Sequence, residues 1–149
     1  MAVIRKILVA TDFSEQAHAA EDAAVEMARS LGASVTLLHV YQLPTYLFFD
    51  GGNFLPPSTV VSQILADVEA GLLQAKTRLA PSGVAVDTIT IGGVPYDDIV
   101  RYAKEQHYDL IVIGTHGRRG LVRLALGSVA ERVVRTAHIP VLTVPSHTP

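Results

Sequence analysis

The sequence predicts an α/β domain in which helices cover both faces of a parallel sheet. Short apolar runs recur along the chain, and amphipathic segments with helical spacing stand between them. Continuous apolar runs are typical of parallel strands that are buried on both faces. Strands that alternate with helices in this way join through right-handed crossovers into one sheet. We therefore expect residues 1–149 to form a single doubly wound domain with a five-stranded sheet.

Turn residues and caps divide the chain into alternating strands and helices. Asp12 or Ser14 caps the first helix, Gly32 ends it, and Pro95 suits the first turn of the third helix. Pro140 precedes the last strand, where a missing amide donor is tolerated. In chain order we predict strand Ile7–Ala10, a helix with an apolar stripe from Phe13 to Leu31, strand Ser34–Val40, helix Val61–Leu79, strand Val84–Ile91, helix Pro95–Ala103, strand Asp109–Ile113, helix Val129–Ala137 and strand Val141–Val144.

Composition and charge exclude several classes of protein. The chain is 49% hydrophobic and 17% charged, which excludes disorder. A net charge of −2 argues against general binding of nucleic acid. No apolar run reaches the roughly 18–20 residues of a membrane span, and no signal peptide is visible. The sequence has no cysteine and therefore no disulfide or thiolate site, which is compatible with a cytoplasmic location. From charge, hydropathy and cysteine content together, we expect a cytoplasmic protein without membrane or nucleic-acid partners.

The stretch Gly114–Ser128, GTHGRRGLVRLALGS, has the composition of a phosphate-binding loop. It follows a buried strand and precedes a helix, and its glycines let a ligand approach the backbone. Ser128, with Glu131 three residues later, predicts a capping box. The amides and the dipole of a helix N-terminus attract anions, so the stretch predicts an anion site. Its basic side chains are Arg118, Arg119 and Arg123.

A second polar loop, Thr11-Asp12, follows the first predicted strand. If the first and fourth strands are neighbours, Asp12 faces the phosphate-binding loop across the crevice where such sheets bind ligands. His39 and His116 also stand near strand ends and could meet there, although the preferred interpretation is two histidines held by ordinary hydrogen bonds. The six histidines show no metal-ligand spacing.

Motifs of several other nucleotide-binding and catalytic classes are missing. The sequence has no Gly-Lys-Ser/Thr, no G-x-G-x-x-G after the first strand and no G-x-S-x-G nucleophile elbow. A response-regulator receiver would need an aspartate after the third strand and a late lysine. Gly92-Gly93 follows the third predicted strand instead, and no lysine follows Lys104.

The segment Tyr41–Pro57 interleaves prolines and glycines with aromatic residues. A long connection of this kind in a compact domain is usually functional or mobile. One interpretation is a mobile flap near the cleft or at a dimer surface. The other is that the aromatic side chains pack over the edge of the core. The aromatic residues beyond Tyr41 are Tyr46, Phe48, Phe49 and Phe54.

The glycines of the phosphate-binding loop match a family pattern without a gap. Gly114, two residues, Gly117, nine residues, then Gly127-Ser128 is the G-2x-G-9x-G-S pattern. Together with Val9-Ala10-Thr11-Asp12 and His138-Ile139-Pro140-Val141-Leu142, it makes the chain resemble the universal stress proteins over roughly Val3 to Val144. In that family the pattern is taken to mark the ATP-binding branch. The Tyr41–Pro57 segment departs from the resemblance, in a region that varies within the family.

The resemblance implies a sheet in the order 3-2-1-4-5 and a nucleotide site. Asp12 would lie by the phosphates or their Mg²⁺, and Val40 would meet adenine through its backbone. Members of the family commonly form dimers, often through the last strand, and an exposed apolar edge favours such pairing. We therefore expect a homodimer through Ile139–Val144. The predicted nucleotide-binding residues are Ala10, Thr11, Asp12, Val40, Gly114, Thr115, Gly117, Arg118, Gly127, Ser128 and Val129.

These observations lead to one functional hypothesis and two alternatives. The first is a cytoplasmic stress-response protein that binds ATP with Mg²⁺ and acts as a nucleotide-dependent sensor or regulator, with or without a protein partner. The second is a slow ATP hydrolase or phosphotransferase. Asp12 is the one candidate catalytic group that the sequence offers for that chemistry, whereas efficient hydrolysis needs a positioned base beside a metal ion and its ligands. The third is a scaffold that binds partners independently of nucleotide.

Overall fold

Five parallel strands form a single sheet in the order β3-β2-β1-β4-β5, as expected. The computed structural model describes residues 3–43, 58–116 and 126–146. The elements are β1 (Lys6–Ala10), α1 (Glu15–Leu31), β2 (Ser34–Tyr41), α2 (Ser58–Leu79), β3 (Val86–Gly92), α3 (Pro95–Glu105), β4 (Leu110–Gly114), α4 (Ser128–Thr136) and β5 (Val141–Val144), with a 3₁₀ turn at Ala80–Ser82.

Strand β1 lies at the centre of the sheet and pairs with β2 on one side and β4 on the other. Its side chains alternate between two separate hydrophobic cores. Ile7 and Val9 belong to the core under α1 and α2, whereas Leu8 and Ala10 belong to the core under α3 and α4. Helices therefore cover both faces of the sheet, and the predicted architecture is confirmed.

Small residues bring α1 close to the sheet. Ala20, Ala24 and Ala28 on α1 are fully or almost fully buried against the same core as Ile7. On the opposite face, Ile99 of α3 and the helix α4 pack over Leu8. Burial of apolar surface on both faces contributes roughly 25 cal/mol per Å² to the stability of the fold.

The start of α1 differs from the predicted stripe. Phe13 lies before the helix, with a φ of 64°, so it is not part of the helical face. Ser14 is the N-cap residue, and its side chain accepts a hydrogen bond from the Ala17 amide. At the other end of the stripe, Leu31 is 50% exposed. The stripe prediction fails at its two ends because periodicity alone does not show where the helix begins and how far the core reaches.

Several other boundaries differ from the predictions by one to three residues. Helix α2 begins at Ser58, before the predicted Val61, and β3 begins at Val86, after the predicted Val84. Helix α1 ends at Gly32 as predicted, with the glycine in the left-handed conformation at φ 67°. Among the described residues, no helix is long and apolar enough to cross a membrane.

Two predicted features fall wholly or mainly outside the described residues. The flap proposed for Tyr41–Pro57 lies outside them from residue 44 to residue 57. In the phosphate-binding loop, residues 117–125 are outside as well, and these include Gly117, Arg118, Arg119 and Arg123. Those predictions stay predictions.

We predict that Gly32→Ala lowers the free energy of unfolding by about 1–2 kcal/mol, the cost of the left-handed conformation for an L-residue. Apart from its two chain neighbours, no atom of the described residues lies within 4 Å of a Cβ placed at residue 32, so the cost is conformational and not steric. Urea unfolding measures it. Gly32→Asn is the matched control and should cost less, because asparagine tolerates this conformation. Equal stability of the alanine variant and the parent would contradict the prediction.

Candidate functional site

A cleft of about 350 Å³ lies at the carboxyl ends of β1, β2 and β4. This volume is within the range of ordinary small-ligand sites, about 300–1,000 Å³. The described members of the predicted nucleotide site all line this one cleft, and Gly117 and Arg118 lie outside the described residues. The lining members are Ala10, Thr11, Asp12, Val40, Gly114, Thr115, Gly127, Ser128 and Val129.

The turn between β1 and α1 forms one wall of the cleft. The Thr11 amide donates to the Leu38 carbonyl at 3.0 Å, which continues the pairing of β1 with β2 by one residue. The Asp12 carboxylate accepts a hydrogen bond from the Ser14 amide at 3.0 Å and another from the Ser14 hydroxyl. Asp12 therefore has a defined orientation where the turn meets the cleft.

The start of α4 forms the opposite wall. The Gly127 amide donates to the Thr115 carbonyl at 2.6 Å, which brings the beginning of α4 next to the end of β4. Gly127 is the N-cap residue, with φ −58° and ψ 158°, and Ser128 is the first residue of the helix. The first amides of a helix have no intrahelical partners. Gly127 has no side chain of its own that could cap these amides, and the first three residues of α4 line the cleft.

The predicted capping box at Ser128 is therefore wrong. The helix begins one residue earlier than that motif requires, because Gly127 adopts the extended conformation of an N-cap. The Glu131 amide donates to the Gly127 carbonyl at 2.9 Å, as the first hydrogen bond of the helix. The Glu131 side chain does not reach back to the cap; it pairs with Arg135 one turn later.

An apolar slot extends the cleft beneath α3 and α4. Its side chains share the sheet face that carries Ala10 and Val40, so the strand alternation could have identified Leu38 and Ile113. Residues from the helices had no such signal, because their approach depends on the tertiary packing. The lining residues that the sequence analysis did not predict are Ala17, Leu38, Pro95, Ile99, Ile113 and Ala130.

An acidic side chain holds the start of α3 at the slot. Asp98 is buried, accepts a hydrogen bond from the Val94 amide at 2.7 Å and pairs with Arg101. A Cβ at Gly93 would lie 2.0 Å from the Asp98 carboxylate, so only glycine fits there. The hydrogen bond from Arg101, with that from the Val94 amide, holds the pKa of Asp98 below its ordinary value.

His39 and His116, which the sequence places near strand ends, both line the cleft. The His39 Nδ1 atom lies 2.8 Å from the Thr11 carbonyl oxygen, and its ring stacks on Phe13. The His116 Nδ1 atom lies 3.0 Å from the Thr115 hydroxyl. Within the described part of the chain, the His116 Nε2 atom is buried and has no hydrogen-bond partner. Such an atom is costly in a folded protein unless something pairs with it.

The described residues contain no group of three or more histidine, aspartate or glutamate side chains that could hold a metal ion. Asp12 is the carboxylate that lines the cleft. In these parts of the chain, protein side chains alone therefore do not make a metal site.

The sequence model of the universal stress protein family matches residues 4–145 of the chain. The chain belongs to the universal stress protein family. It is 34% identical to the universal stress protein YxiE of Bacillus subtilis over 148 residues, which are 95% of this chain and 99% of YxiE. This family member also resembles the solved structure of MJ0577 of Methanocaldococcus jannaschii, with a TM-score of 0.83, 28% identity and coverage of 99% and 100% of the two chains.

Two other similar structures are complexes with adenine nucleotides. One is a universal stress protein in complex with cAMP, with a TM-score of 0.74, 25% identity and coverage of 97% of this chain and 99% of that one. The other is a universal stress protein of Archaeoglobus fulgidus in complex with dAMP, with a TM-score of 0.67, 27% identity and coverage of 96% and 99%.

We predict that Asp98→Asn destabilises the protein by about 1–3 kcal/mol at neutral pH, because a buried charged hydrogen-bond partner is lost. The folded pKa of Asp98 lies below the unfolded value of about 3.9, so the carboxylate stabilises the fold above that pH and this contribution disappears as the pH falls below it. The two proteins should therefore approach each other in stability in acid.

Urea unfolding of the parent and of Asp98→Asn, at neutral pH and at about pH 3, tests this difference. The matched control is Asp97→Asn, which removes the same charge from the same turn and leaves the Val94 contact intact. A difference between parent and Asp98→Asn that stays constant across the pH range would contradict the assignment.

Proposed function

We propose that the protein binds ATP together with Mg²⁺ in this cleft and acts as a nucleotide-dependent sensor or regulator. The observation that carries the proposal is the combination of an apolar slot with an uncapped helix N-terminus in one cavity. A nucleotide has this same division, with an apolar base at one end and an anion at the other. The cAMP and dAMP complexes of related proteins support the choice of an adenine nucleotide.

The base occupies the slot between the sheet and α3. Leu38, Val40 and Ile99 offer apolar surface there, while the Val40 backbone belongs to a strand end and offers directional hydrogen bonds. The phosphates lie over the first turn of α4, where the helix amides and dipole favour negative charge. Gly117 and Arg118 belong to the phosphate end through the glycine pattern.

The buried His116 Nε2 atom has no hydrogen-bond partner among the described residues, and this atom tests whether a ligand fits the cleft. A buried ring nitrogen that faces no partner in the described residues is satisfied by a ligand oxygen or hydroxyl in the cleft. Asp12 on the opposite wall adds the carboxylate that a phosphate-bound Mg²⁺ accepts as a ligand, directly or through water. The remaining metal ligands come from the nucleotide, since the described residues hold no metal cluster.

The cleft supports binding more than turnover. Asp12 is held by Ser14, and the described lining residues offer no second carboxylate to orient an attacking water. We therefore place slow hydrolysis or phosphate transfer second, and a nucleotide-independent scaffold third. A single domain over residues 1–149, a cytoplasmic location and a protein partner that recognises the nucleotide state complete the proposal.

We predict that Gly127→Asp weakens ATP binding by about 10- to 100-fold and leaves the fold at least as stable as the parent. The backbone of Gly127 already has the extended conformation that other residues adopt. An aspartate there caps α4, which stabilises the helix, but it occupies the amides and repels the phosphates. Calorimetric titration with Mg-ATP and urea unfolding measure the two effects separately.

Two variants complete the experiment. Gly127→Asn caps the helix without charge and should weaken ATP binding less than aspartate does. Asp12→Asn should weaken binding mainly when Mg²⁺ is present, because its carboxylate acts through the metal. If Gly127→Asp binds ATP as tightly as the parent, the phosphates do not lie over α4, and the scaffold hypothesis takes precedence. Steady release of phosphate by the parent would favour the hydrolase.

We also propose that the protein is a homodimer through Ile139–Val144. Strand β5 is at the edge of the sheet, and all its residues are partly exposed. The carbonyls of Pro140 and Val144 accept hydrogen bonds from Ile111 and Thr115, so the even-numbered residues face β4. The amides of Val141 and Thr143 therefore point to the open edge, where a second copy can pair with them.

We predict that Thr143→Pro converts the dimer into a monomer. Proline removes an amide that points away from β4, which an edge strand tolerates, so the sheet itself keeps its pairing. The matched control, Thr143→Val, keeps the amide and should remain dimeric. Light scattering at micromolar concentration distinguishes one chain of 16.0 kDa from two. A monomeric parent, or a dimeric Thr143→Pro, would contradict the interface.

A further inference from the structure

We propose that helix α2 positions the turn of residues 11–14 that carries Asp12, although none of its described residues lines the cleft. Two separate contacts connect α2 to the turn. One passes from Arg78 through Glu21 to Thr11, and the other joins Gly71 to Phe13. The consequence for ligand binding rests on the proposed function, but the positioning of the turn does not.

The first contact depends on a buried carboxylate. Glu21, on α1, is 0% exposed, and its two oxygens have different partners. Oε1 accepts a hydrogen bond from the Thr11 hydroxyl at 2.7 Å, and Oε2 accepts one from the Arg78 guanidinium at 2.6 Å. A buried charge is costly unless it is paired and hydrogen-bonded. Glu21 therefore holds both partners in place.

Arg78 is well suited to this position because it can pair with a buried carboxylate while part of its side chain remains in contact with solvent. Its guanidinium donates to buried Glu21 and also to Asp22, each at 2.6 Å, while its side chain stays 33% exposed. The flat guanidinium with several donors bridges the two carboxylates at once, which an ammonium group does less well. The sequence separation between Arg78 and Glu21 is 57 residues, so the pair fixes α2 against α1.

The Thr11 hydroxyl connects the Glu21–Arg78 ion pair to the turn of residues 11–14. Because it donates to Glu21, its oxygen is oriented to accept, and the Phe13 amide donates to it at 3.1 Å. Phe13 has a φ of 64°, an unfavourable conformation for a residue with a side chain. This hydrogen bond between Phe13 and Thr11 offsets part of the free-energy cost of the Phe13 backbone conformation. It also closes the turn around Asp12, which lies between the two residues.

The second contact acts on the Phe13 ring. The ring stacks on His39 with centroids 4.5 Å apart, and it also lies against Gly71 of α2. A Cβ at residue 71 would lie 2.7 Å from the ring, so the helix reaches the ring only because it has a glycine there. His39 in turn is hydrogen-bonded to the Thr11 carbonyl at 2.8 Å. Both ends of the turn therefore depend on where α2 lies.

The competing explanation is that the ion pair only stabilises the packing of α1 on α2. In that case its loss would speed exchange at every amide that opens by global unfolding, without a local effect. Positioning predicts a local effect instead, at the amides of Phe13 and Ser14, in protein without nucleotide.

Amide hydrogen exchange of Arg78→Met distinguishes the two explanations. The Phe13 and Ser14 amides should exchange about tenfold faster than in the parent, in line with the loss of one hydrogen bond to a charged group. The Leu8 and Val9 amides of β1 report global stability and should change by a smaller factor. Lys76→Met is the matched control, because it removes the same charge from the exposed side of the same helix. It should leave all four amides unchanged.

Two further variants keep the test decisive. Arg78→Lys should restore part of the protection, since it keeps one charged donor near Glu21. Gly71→Ala should speed exchange at the same two amides by displacing the Phe13 ring, and it leaves the ion pair untouched. If Arg78→Met does not fold, Glu21→Gln is measured in its place, because it removes the buried charge and its pairing together.

The binding measurement separates this inference from the proposed function. In Arg78→Met the affinity for Mg-ATP should fall about tenfold while adenosine binds as in the parent, since the turn acts on the phosphate end. Unchanged exchange at Phe13 and Ser14 in Arg78→Met would overturn the positioning role, whatever the nucleotide result. A parent that binds neither ligand would overturn the proposed function, and the exchange data would still decide the positioning.

Discussion

The rest of the structure depends on the pairing of β1 with both of its neighbours. Lys6–Ala10 is hydrogen-bonded to β2 and to β4, so the loops that follow β1 and β4 emerge side by side at one edge of the sheet. Asp12 and Gly114 come from distant parts of the sequence and reach the same cleft for this reason alone. Any ligand in the cleft contacts the sheet at the strand ends that this pairing brings together.

Successive side chains along β1 and the residue after it point to opposite faces of the sheet, and the two faces contain different features. Ala10 points to the core under α3 and α4, where the apolar slot lies. Thr11, the next residue, directs its hydroxyl to Glu21 on the other face, under α1 and α2. Adjacent residues thus connect the lining of the cleft to a buried polar network, because successive side chains of an extended chain point to opposite faces of the sheet.

The cleft also combines parts with different requirements. The turn of residues 11–14 is held by a dense set of hydrogen bonds and an unfavourable backbone at Phe13. The start of α4 is left without a capping side chain, because Gly127 occupies the N-cap position. A Ser, Asn or Asp side chain at that position would stabilise the helix by about a few tenths of a kcal/mol, and it would occupy the amides that the proposed anion site uses. The absence of a capping side chain beside an oriented carboxylate therefore costs the fold a little stability and suits the ligand site that we propose.

The sequence by itself determined the alternation of strands and helices, the left-handed end of α1 at Gly32 and the location of the cleft at the strand ends, because these depend on local spacing and on residues with special backbone preferences. The order of the strands came with the family resemblance. Only the tertiary structure decided that Gly127 and not Ser128 caps α4, since both residue types are common N-caps and the choice depends on where the chain is held by Thr115. The pairing of Glu21 with Arg78 was likewise visible only in the tertiary structure, because no periodic signal connects residues that are 57 positions apart. A buried carboxylate needs a charged partner, and the packing of α2 against α1 brings Arg78 to it.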